Sequence, residues 1–287
     1  MKRTRIVAML VVLSILTGSL LTACSQQPAA APKPAAPATG TPAPAPATTD
    51  TYDEVVKRGS IRVGLINSPP SAVKDPNSGQ WSGFASEVLA LLAKPLGVKV
   101  EVVECDWQNI IANLQAGKID VAWAGMYATP ERAMSVWFTR PYHYAGTTFV
   151  IRKEDAKRFK SLEDLNKPEI ILTTAMGTAT VDIMKERFPK AQLKEVQGAT
   201  RFQEVGAKRS DAGSADWDTC NAYVQEHKDW AMIWPEVPFA PVPVSACVRR
   251  GDEQWLRYID TCLAYFESRG TLGMIVRKYY KQPKITE

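Results

Sequence analysis

The chain has 287 residues, of which 45% are hydrophobic and 23% charged, with a formal net charge of +5. This composition is typical of one large or two modest soluble domains and argues against a fibrous, fully disordered or disulfide-dense protein. Residues 1–23 hold Lys2, Arg3 and Arg5 but no acid, so their removal lowers the net charge from +5 to +2. The remainder shows no basic cluster of the kind that binds nucleic acid, and we expect no such partner.

The N-terminus has the pattern of an export signal. Residues 6–21 form an apolar run behind a basic start, with the charge and length of a secretory signal rather than of a spanning helix. The next residues, Leu21-Thr22-Ala23-Cys24, resemble a bacterial lipobox, in which the cysteine is acylated, with palmitate for example. We therefore predict a signal peptide over 1–23 and a lipid anchor on Cys24. A plain signal peptide or an uncleaved anchor is the alternative.

Residues 24–50 are predicted to be a tether. The stretch 25–50 contains seven prolines and nine alanines and almost no large apolar residue, so it cannot build a core. Because proline fixes φ, we expect an extended chain with polyproline II character. Together with the lipid it would hold a domain outside the cytoplasm, on the periplasmic side or at the cell surface. Each residue of the extended tether would add about 3 Å to the distance between that domain and the membrane.

Four cysteines follow the tether: Cys105, Cys220, Cys247 and Cys262. In an oxidising compartment they could be paired, and the sequence leaves three connectivities and buried free thiols open. The chain has no CxxC motif, and its histidines are His143 and His227. We therefore expect no metal site and no cofactor.

From about residue 51 onward, short apolar strands alternate with amphipathic helices, which predicts an α/β architecture with mainly parallel sheets. The predicted strands are 61–65, 98–103, 119–124, 170–174, 193–196, 212–215, 231–234 and 242–249. The predicted helices are 53–58, 85–96, 181–188, 201–207, 218–227 and 252–268. A further helix is predicted from Trp107 to its stop at Gly117, because apolar residues recur there at i, i+3, i+4 and i+7.

The strand and helix pattern is repeated in two sets, which suggests two lobes joined by two crossing segments. We assign residues 51–147 and 242–287 to lobe 1 and residues 148–241 to lobe 2, with hinges near 147–151 and 242–247. Such an arrangement leaves a cleft where ligands bind at the carboxyl ends of strands.

The most informative stretch is AGMYATPERAMSVWFTRPY, residues 124–142. A predicted strand ends in Gly125, Thr129 and Pro130 can begin a helical turn, and Arg132 follows within that turn. An arginine so placed presents a planar fork of donors that suits bidentate binding of a carboxylate. Its alternative role is an ion pair with a neighbouring acid on a solvated face.

This run, with QWSGF at 80–84 and GKID at 117–120, closely resembles the family 3 periplasmic solute-binding proteins, the amino-acid receptors of ABC importers. The resemblance extends over residues 53–281, and its most specific element is G-x-x-x-T-x-x-R before F-[ST]-x-P-Y. It implies a type II periplasmic-binding-protein fold, the two-lobed Venus flytrap with two hinge crossings. It also implies a monomer whose partners are a small-molecule ligand, an amino acid, and an ABC permease in the membrane.

The resemblance carries site residues over position by position. It implies that Arg132 clamps the ligand α-carboxylate, that Trp107 stacks on the ligand, and that Gly125 meets its polar groups. Tyr127 and Thr129, from the same run, are further candidates for the pocket, and Tyr127 stands where many members carry Ser or Thr. Core packing is the alternative for Trp107.

Two motifs of lobe 2 complete the predicted site. MGTAT at 176–180 joins a strand to a helix, so its N–H groups and hydroxyls can hold an anion. It resembles the family loop G-[ST]-x-x, which implies Thr178 and Thr180 as ligand-binding residues, with an ordinary helix cap as the alternative. DAGSAD at 211–216 resembles D-A-x-x-x-D, whose last aspartate, Asp216, would pair with the ligand α-ammonium. A plain N-cap is the alternative for Asp216, and we expect Asp211 to be structural.

Departures from the family pattern bear on the ligand's side chain. Pro69 stands where a second stacking aromatic is frequent, and Ile66 where receptors for arginine and lysine can carry an aspartate. A buried cationic side chain would then lack a partner, which argues against basic amino acids. Trp217, beside Asp216, favours a neutral or apolar side chain, with simple packing as its alternative role.

The leading hypothesis is a receptor without catalytic activity that closes over an amino acid and delivers it to a permease. The cyclohexadienyl or arogenate dehydratases share the fold and are an alternative, but their expected acid three residues beyond Asp216 is Thr219 here. With two histidines and no G-x-S-x-G elbow, a Ser/His/Asp site is poorly supported. A ligand-binding sensor subunit fits the same pocket. No apolar run after residue 24 reaches the length of a span, so transport or signalling would pass through a separate chain.

Overall fold

The computed structural model describes residues 50–198, 200–236 and 238–283. The predicted signal peptide, the predicted acylation site Cys24 and the tether up to residue 49 lie outside the described residues. Among the helices that are described, none has both the length and the apolar character needed to cross a membrane.

Strands and helices alternate along the described chain. Lobe 1 begins with α1 (Thr51–Arg58), β1 (Ser60–Leu65), β2 (Val73–Lys74), β3 (Trp81–Ser82), α2 (Phe84–Leu96), β4 (Lys99–Glu104), α3 (Ile110–Gln115), β5 (Val121–Tyr127), α4 (Pro130–Ala133) and β6 (Val136–Phe138). The strand β7 (His143–Arg152) leads to β8 (Ile171–Ala175), α5 (Thr180–Arg187), β9 (Gln192–Val196), α6 (Thr200–Gly206), β10 (Ala212–Asp216), α7 (Trp217–Glu226) and β11 (Trp230–Ile233). The strand β12 (Phe239–Arg249), α8 (Glu253–Ser268) and α9 (Thr271–Tyr279) follow. The predicted elements are all present, with bounds shifted by a few residues.

The main sheet has the strand order β4-β1-β5-β12-β7-β10-β8-β9. In lobe 1, β1 is parallel to β4 and β5, and in lobe 2, β8 is parallel to β9 and β10. The two long strands β7 and β12 are antiparallel to their neighbours and to each other. The prediction of mainly parallel pairing is therefore right for the outer strands and wrong for the centre, where the chain crosses between the lobes and returns.

Each of the two long strands is shared between the lobes. Residues 143–147 of β7 pair with residues 239–244 of β12, and the same two strands then continue in opposite directions. β7 pairs further along with β10 and β11 of lobe 2, whereas β12 pairs with β5 and β6 of lobe 1. The crossing is thus a two-stranded ladder next to the cleft.

Apolar side chains pack on both faces of the sheet in each lobe. In lobe 1, one face carries the fully buried Phe84, Trp123 and Trp255, and the other carries Ile110 and Met126. Lobe 2 has its own clusters, one around Phe149, Leu172 and Phe188 and a smaller one around Phe202 and Cys220. Burial on both faces explains why the strands read as near-continuous apolar runs.

The helix predicted from Trp107 begins three residues later, at Ile110. The carboxylate oxygen Oδ1 of Asp106 accepts hydrogen bonds from the backbone N–H groups of Gln108 and Asn109, both at 3.0 Å. This aspartate-closed turn competes with the first helical turn, so Trp107 stands in the turn and not on the helix. The turn directs Trp107 towards the cleft.

The last helix, α9, was not predicted from the sequence. Gly270 adopts a left-handed conformation, with φ of 73°, and breaks the chain between α8 and α9. Leu272 and Ile275 then pack into the lobe 1 core. The signal was present, because Leu272, Ile275 and Tyr279 recur at helical spacing.

The four cysteines that follow the tether are free thiols, which settles the alternative left open by the sequence. Cys105 and Cys247 lie in one apolar cluster of lobe 1, Cys220 is buried in lobe 2, and Cys262 lies on α8. In the described part of the chain no group of three His, Cys, Asp or Glu side chains could hold a metal ion.

Candidate functional site

A cavity of about 260 Å³ lies in the cleft between the lobes. Lobe 1 contributes the segments that follow β1 and β4 and the end of β5, and lobe 2 contributes those that follow β8 and β10. These are the carboxyl ends of parallel strands, where ligands bind in open α/β sheets. The volume fits a small molecule.

Arg132 reaches this cavity from the single turn of α4. Thr129 caps that turn by accepting a hydrogen bond from the Arg132 N–H at 3.4 Å. The guanidinium donates from Nη1 to the carbonyl oxygen of Tyr127 at 3.1 Å and from Nη2 to that of Gly177 at 3.0 Å. These acceptors are neutral, and burial lowers the pKa of Arg132. Its charge is therefore oriented by carbonyls without being neutralised by a carboxylate of the described chain.

Trp107 lines the same cavity, with its ring centroid 5.8 Å from the Arg132 guanidinium carbon. The ring is half-buried. This geometry is a cation–π contact, which orients the guanidinium and leaves ring surface available to a ligand.

Asp216 ends β10 and is the N-cap of α7. Its Oδ1 accepts from the backbone N–H of Thr219 at 2.9 Å, and its Oδ2 accepts from the Thr219 hydroxyl at 2.7 Å. Desolvation raises the pKa of this carboxyl, and the two hydrogen bonds from Thr219 oppose that effect. Asp216 also lines the cavity, so the same side chain caps α7 and faces the ligand position. Each oxygen keeps a lone pair for another donor.

Asp211, at the other end of that motif, lies outside the cavity. Its Oδ1 accepts from Nη2 of Arg158 at 2.8 Å, and its Oδ2 accepts from the backbone N–H of Ile171 at 2.9 Å. Asp211 therefore links the start of β10 to the start of β8, which agrees with the structural role expected for it.

The loop at 176–180 joins β8 to α5 and borders the cavity with Thr178 and Thr180. The Thr178 hydroxyl donates to the carbonyl oxygen of Ala175 at 2.7 Å, so it can only accept from a ligand. Thr180 is buried and is the first residue of α5. Any anion held here would therefore be met by first-turn N–H groups rather than by the Thr178 hydroxyl.

Of the other predicted residues, Gly125 and Tyr127 line the cavity, whereas Thr129 and Trp217 do not. Thr129 is occupied as the cap of α4. Trp217 is buried, and its indole Nε1 donates to the carbonyl oxygen of Pro235 at 2.5 Å. Trp217 is therefore placed as a packing residue and not as a residue of the cavity wall.

Arg201 was not among the predicted site residues, yet it lines the cavity from the first turn of α6. Its Nη1 donates to the carbonyl oxygen of Gly198 at 2.7 Å, and its Nε is buried with no partner among the described residues. Burial lowers the pKa of Arg201. Arg201 was missed in the sequence because no motif surrounds it and the preceding strand, β9, is only partly buried.

The lobes touch each other around this cavity. The Arg132 Nη2 bond to Gly177 crosses the cleft. The Thr219 hydroxyl also reaches across it, since its single hydrogen is shared between Asp216 and the carbonyl oxygen of Pro69, which lies 3.2 Å away. Gln108 Nε2 of lobe 1 donates to Gln197 Oε1 of lobe 2 at 3.4 Å. The described conformation is therefore a closed one.

Residues 61–282 match the family model of the bacterial extracellular solute-binding proteins, family 3, and the chain belongs to that family. A probable amino-acid ABC transporter-binding protein of Haemophilus influenzae is 35% identical over 79% of this chain and 87% of its own. Cyclohexadienyl dehydratase of Pseudomonas aeruginosa is 25% identical over 79% of this chain and 84% of its own.

Among solved structures, an ancestral amino-acid-binding protein described as a precursor of cyclohexadienyl dehydratase is similar. It is 37% identical, covers 81% of this chain and 100% of its own, and has a TM-score of 0.74. Family and fold together establish a two-lobed α/β protein of the type II periplasmic class, which is extracytoplasmic, with relatives that are amino-acid-binding receptors of ABC transporters.

Proposed function

We propose that this protein is the extracytoplasmic receptor of an amino-acid ABC importer. The observation that carries the proposal is the placing of Arg132 in lobe 1 and Asp216 in lobe 2, both facing one closed cavity. A guanidinium without a carboxylate partner and a desolvated carboxylate are complementary to the two ends of an α-amino acid. The relationship to a probable amino-acid transporter-binding protein supports the same function.

In the proposed mechanism the ligand stabilises the closed form because it bonds to both lobes at once. Arg132 takes the α-carboxylate, assisted by first-turn N–H groups beside Thr178 and Thr180, and Asp216 takes the ammonium. Trp107 covers the adjoining part of the ligand, and Gly125 and Tyr127 form the floor. The lobes hinge at the ladder between β7 and β12, and no covalent step is required.

A dehydratase function is the alternative, because one relative is an enzyme of that name. A proton-transferring acid is expected at position 219, where this chain has Thr219. Its hydroxyl bonds to Asp216 and Pro69, and it cannot exchange a proton as a carboxyl does. We therefore propose binding without catalysis.

The proposal excludes a basic ligand side chain. Ile66 lines the cavity and offers no carboxylate, and the two guanidiniums there would repel a third cation. The expectation of a neutral or apolar side chain loses the support of Trp217, which packs outside the cavity. Two guanidiniums facing the cavity also fit a neutral side chain less well than an acidic one.

We also propose that Cys24 is acylated and that residues 24–50 tether the receptor to the membrane on which its permease resides. The support is the LTAC sequence at 21–24 and the proline and alanine content of 25–50.

Calorimetric titration of the full chain with each of the twenty common amino acids tests the binding function. We expect saturable binding of at least one of them, with an accompanying rise in melting temperature. Absence of binding by all of them, together with turnover of prephenate or arogenate, would favour the enzyme.

A further inference from the structure

The cavity is lined by two guanidiniums, whereas a zwitterionic amino acid has only one carboxylate to pair with them. Arg132 and Arg201 both face it, and the carboxylate opposed to them in its interior is Asp216. Asp106 and Glu226 also border the cavity, but both are exposed and screened by water at its rim. The charged side chains that line the interior therefore sum to one positive unit before the ligand enters, the buried Asp218 not being part of that lining. An α-amino acid with a neutral side chain leaves this unit uncompensated.

No carboxylate of the described residues forms an ion pair with Arg201. The one hydrogen bond of its guanidinium within those residues is the Nη1 bond to the carbonyl oxygen of Gly198, and its Nε is buried without a partner there. The nearby Asp216 acts on it through space only, because no hydrogen bond or ion pair joins the two side chains among the described residues. A desolvated guanidinium with unused donors is costly unless an anion joins it.

Arg201 is also held in place. Its guanidinium carbon lies 4.6 Å from the centroid of the buried Phe202 ring, and its backbone carbonyl accepts from the Thr173 hydroxyl at 3.1 Å. Phe202 is fixed in turn by Tyr223, with ring centroids 4.4 Å apart. A side chain locked by such packing is typical of a recognition residue rather than of a freely solvated one.

We propose that Arg201 binds a carboxylate on the side chain of the ligand, so that the receptor takes an acidic amino acid, aspartate or glutamate. This inference rests on the proposed function and specifies its ligand. Arg132 and Asp216 hold the two α-groups, and Arg201 is the specificity-determining residue. The ligand's net charge of minus one then matches the interior charge of plus one.

The test compares each acidic amino acid with its amide on the purified full chain by calorimetry. Glutamate and glutamine, and likewise aspartate and asparagine, have nearly the same shape and differ in charge. We expect the preferred acid to bind at least about tenfold more tightly than its amide, which corresponds to about 1.4 kcal/mol. This comparison needs no variant and is independent of how any substitution folds.

The variant Arg201→Gln removes the charge and keeps a polar side chain of similar reach. We expect its affinity for the acid to fall about tenfold or more while its affinity for the amide changes by less than about threefold. Arg201→Lys should restore part of the preference, and Arg187→Gln, at an exposed arginine of α5, should leave it unchanged.

Four results would overturn the inference. If the amide binds as tightly as the acid, or if Arg201→Gln weakens both equally, Arg201 does not read the side chain while the receptor function stands. Tight binding of arginine or lysine has the same meaning. If no amino acid binds, the proposed function and this inference both fail.

Discussion

Gly177 of lobe 2 lies directly against the backbone of Trp107 in lobe 1. A Cβ atom at Gly177 would stand 3.0 Å from the Trp107 carbonyl oxygen and 3.1 Å from its carbonyl carbon. These atoms are backbone and cannot turn aside, so a side chain at residue 177 would require the two lobes to move apart by a few tenths of an ångström.

We therefore expect Gly177→Ala to weaken amino-acid binding by about tenfold, because the added Cβ disfavours the closed form. The φ of +76° at Gly177 adds strain of about 1 kcal/mol. Gly79→Ala is the matched control, since Gly79 has a φ of +69° and nothing within 4 Å of its added Cβ. Titration calorimetry measures the affinity, and equal effects of the two variants would show that strain alone is responsible.

Arg132→Ala should abolish measurable binding of every amino acid without unfolding the protein. Its two hydrogen bonds go to carbonyl oxygens, which can be satisfied by water when the side chain is removed. The exposed Arg257 of α8, which pairs with Glu253, is the control for loss of a positive charge. Retention of micromolar affinity by Arg132→Ala would remove this residue from the site.

Asp216→Asn should separate stability from binding. The folded-state pKa of Asp216 is raised by desolvation, so its ionisation costs stability as pH rises through the interval between the unfolded pKa and the raised folded one. The ligand-free variant lacks this cost, and its melting temperature relative to the native chain should increase from pH 4 to pH 7. Amino-acid binding should be lost over the same range. A melting difference that does not change with pH would contradict the assignment.

Asp120 serves the fold rather than the ligand. Its side chain is 1% exposed; Oδ1 accepts from Arg62 Nη2 at 2.6 Å, and Oδ2 pairs with Arg58. Asp120→Asn breaks this pairing and should lower the free energy of unfolding by roughly 3 kcal/mol. Urea unfolding measures the loss, and ligand affinity of the folded variant should be unchanged. Glu101→Gln, at an exposed position of β4, is the control.

Cys24→Ala should release the protein from membranes into the soluble fraction, since acylation needs the thiol. Cell fractionation followed by immunoblotting is the measurement. Persistent membrane association of the variant would indicate an uncleaved N-terminal anchor instead.

The alternation of strands and helices was predictable because its apolar periodicity is local. The start of α3 was not, since the side chain of Asp106 closes a turn that the apolar spacing does not reveal. The antiparallel centre of the sheet was also missed. Pairing between β7 and β12 joins residues about a hundred positions apart, and strand direction there depends on how the chain returns.

The candidate site was predictable where a motif identified it. Arg132, Asp216, Trp107 and the loop at 176–180 all reach the cavity. Trp217 was misjudged because adjacency to Asp216 says nothing about direction, and its indole turns to Pro235. Arg201 was overlooked because no motif surrounds it, and only the packing of α6 against the cleft brings its charge inside.

The sharing of β7 and β12 has a consequence for the order in which the protein is built. Lobe 2 takes the strands β7 to β11 from one continuous stretch, residues 143–233, whereas lobe 1 needs β12, α8 and α9 from the last part of the described chain. During synthesis or export from the N-terminus, lobe 1 stays incomplete while lobe 2 can already assemble. The apolar surfaces of β1 and β5 therefore remain open longest, and that is where a chaperone or an aggregating neighbour would meet the unfinished chain.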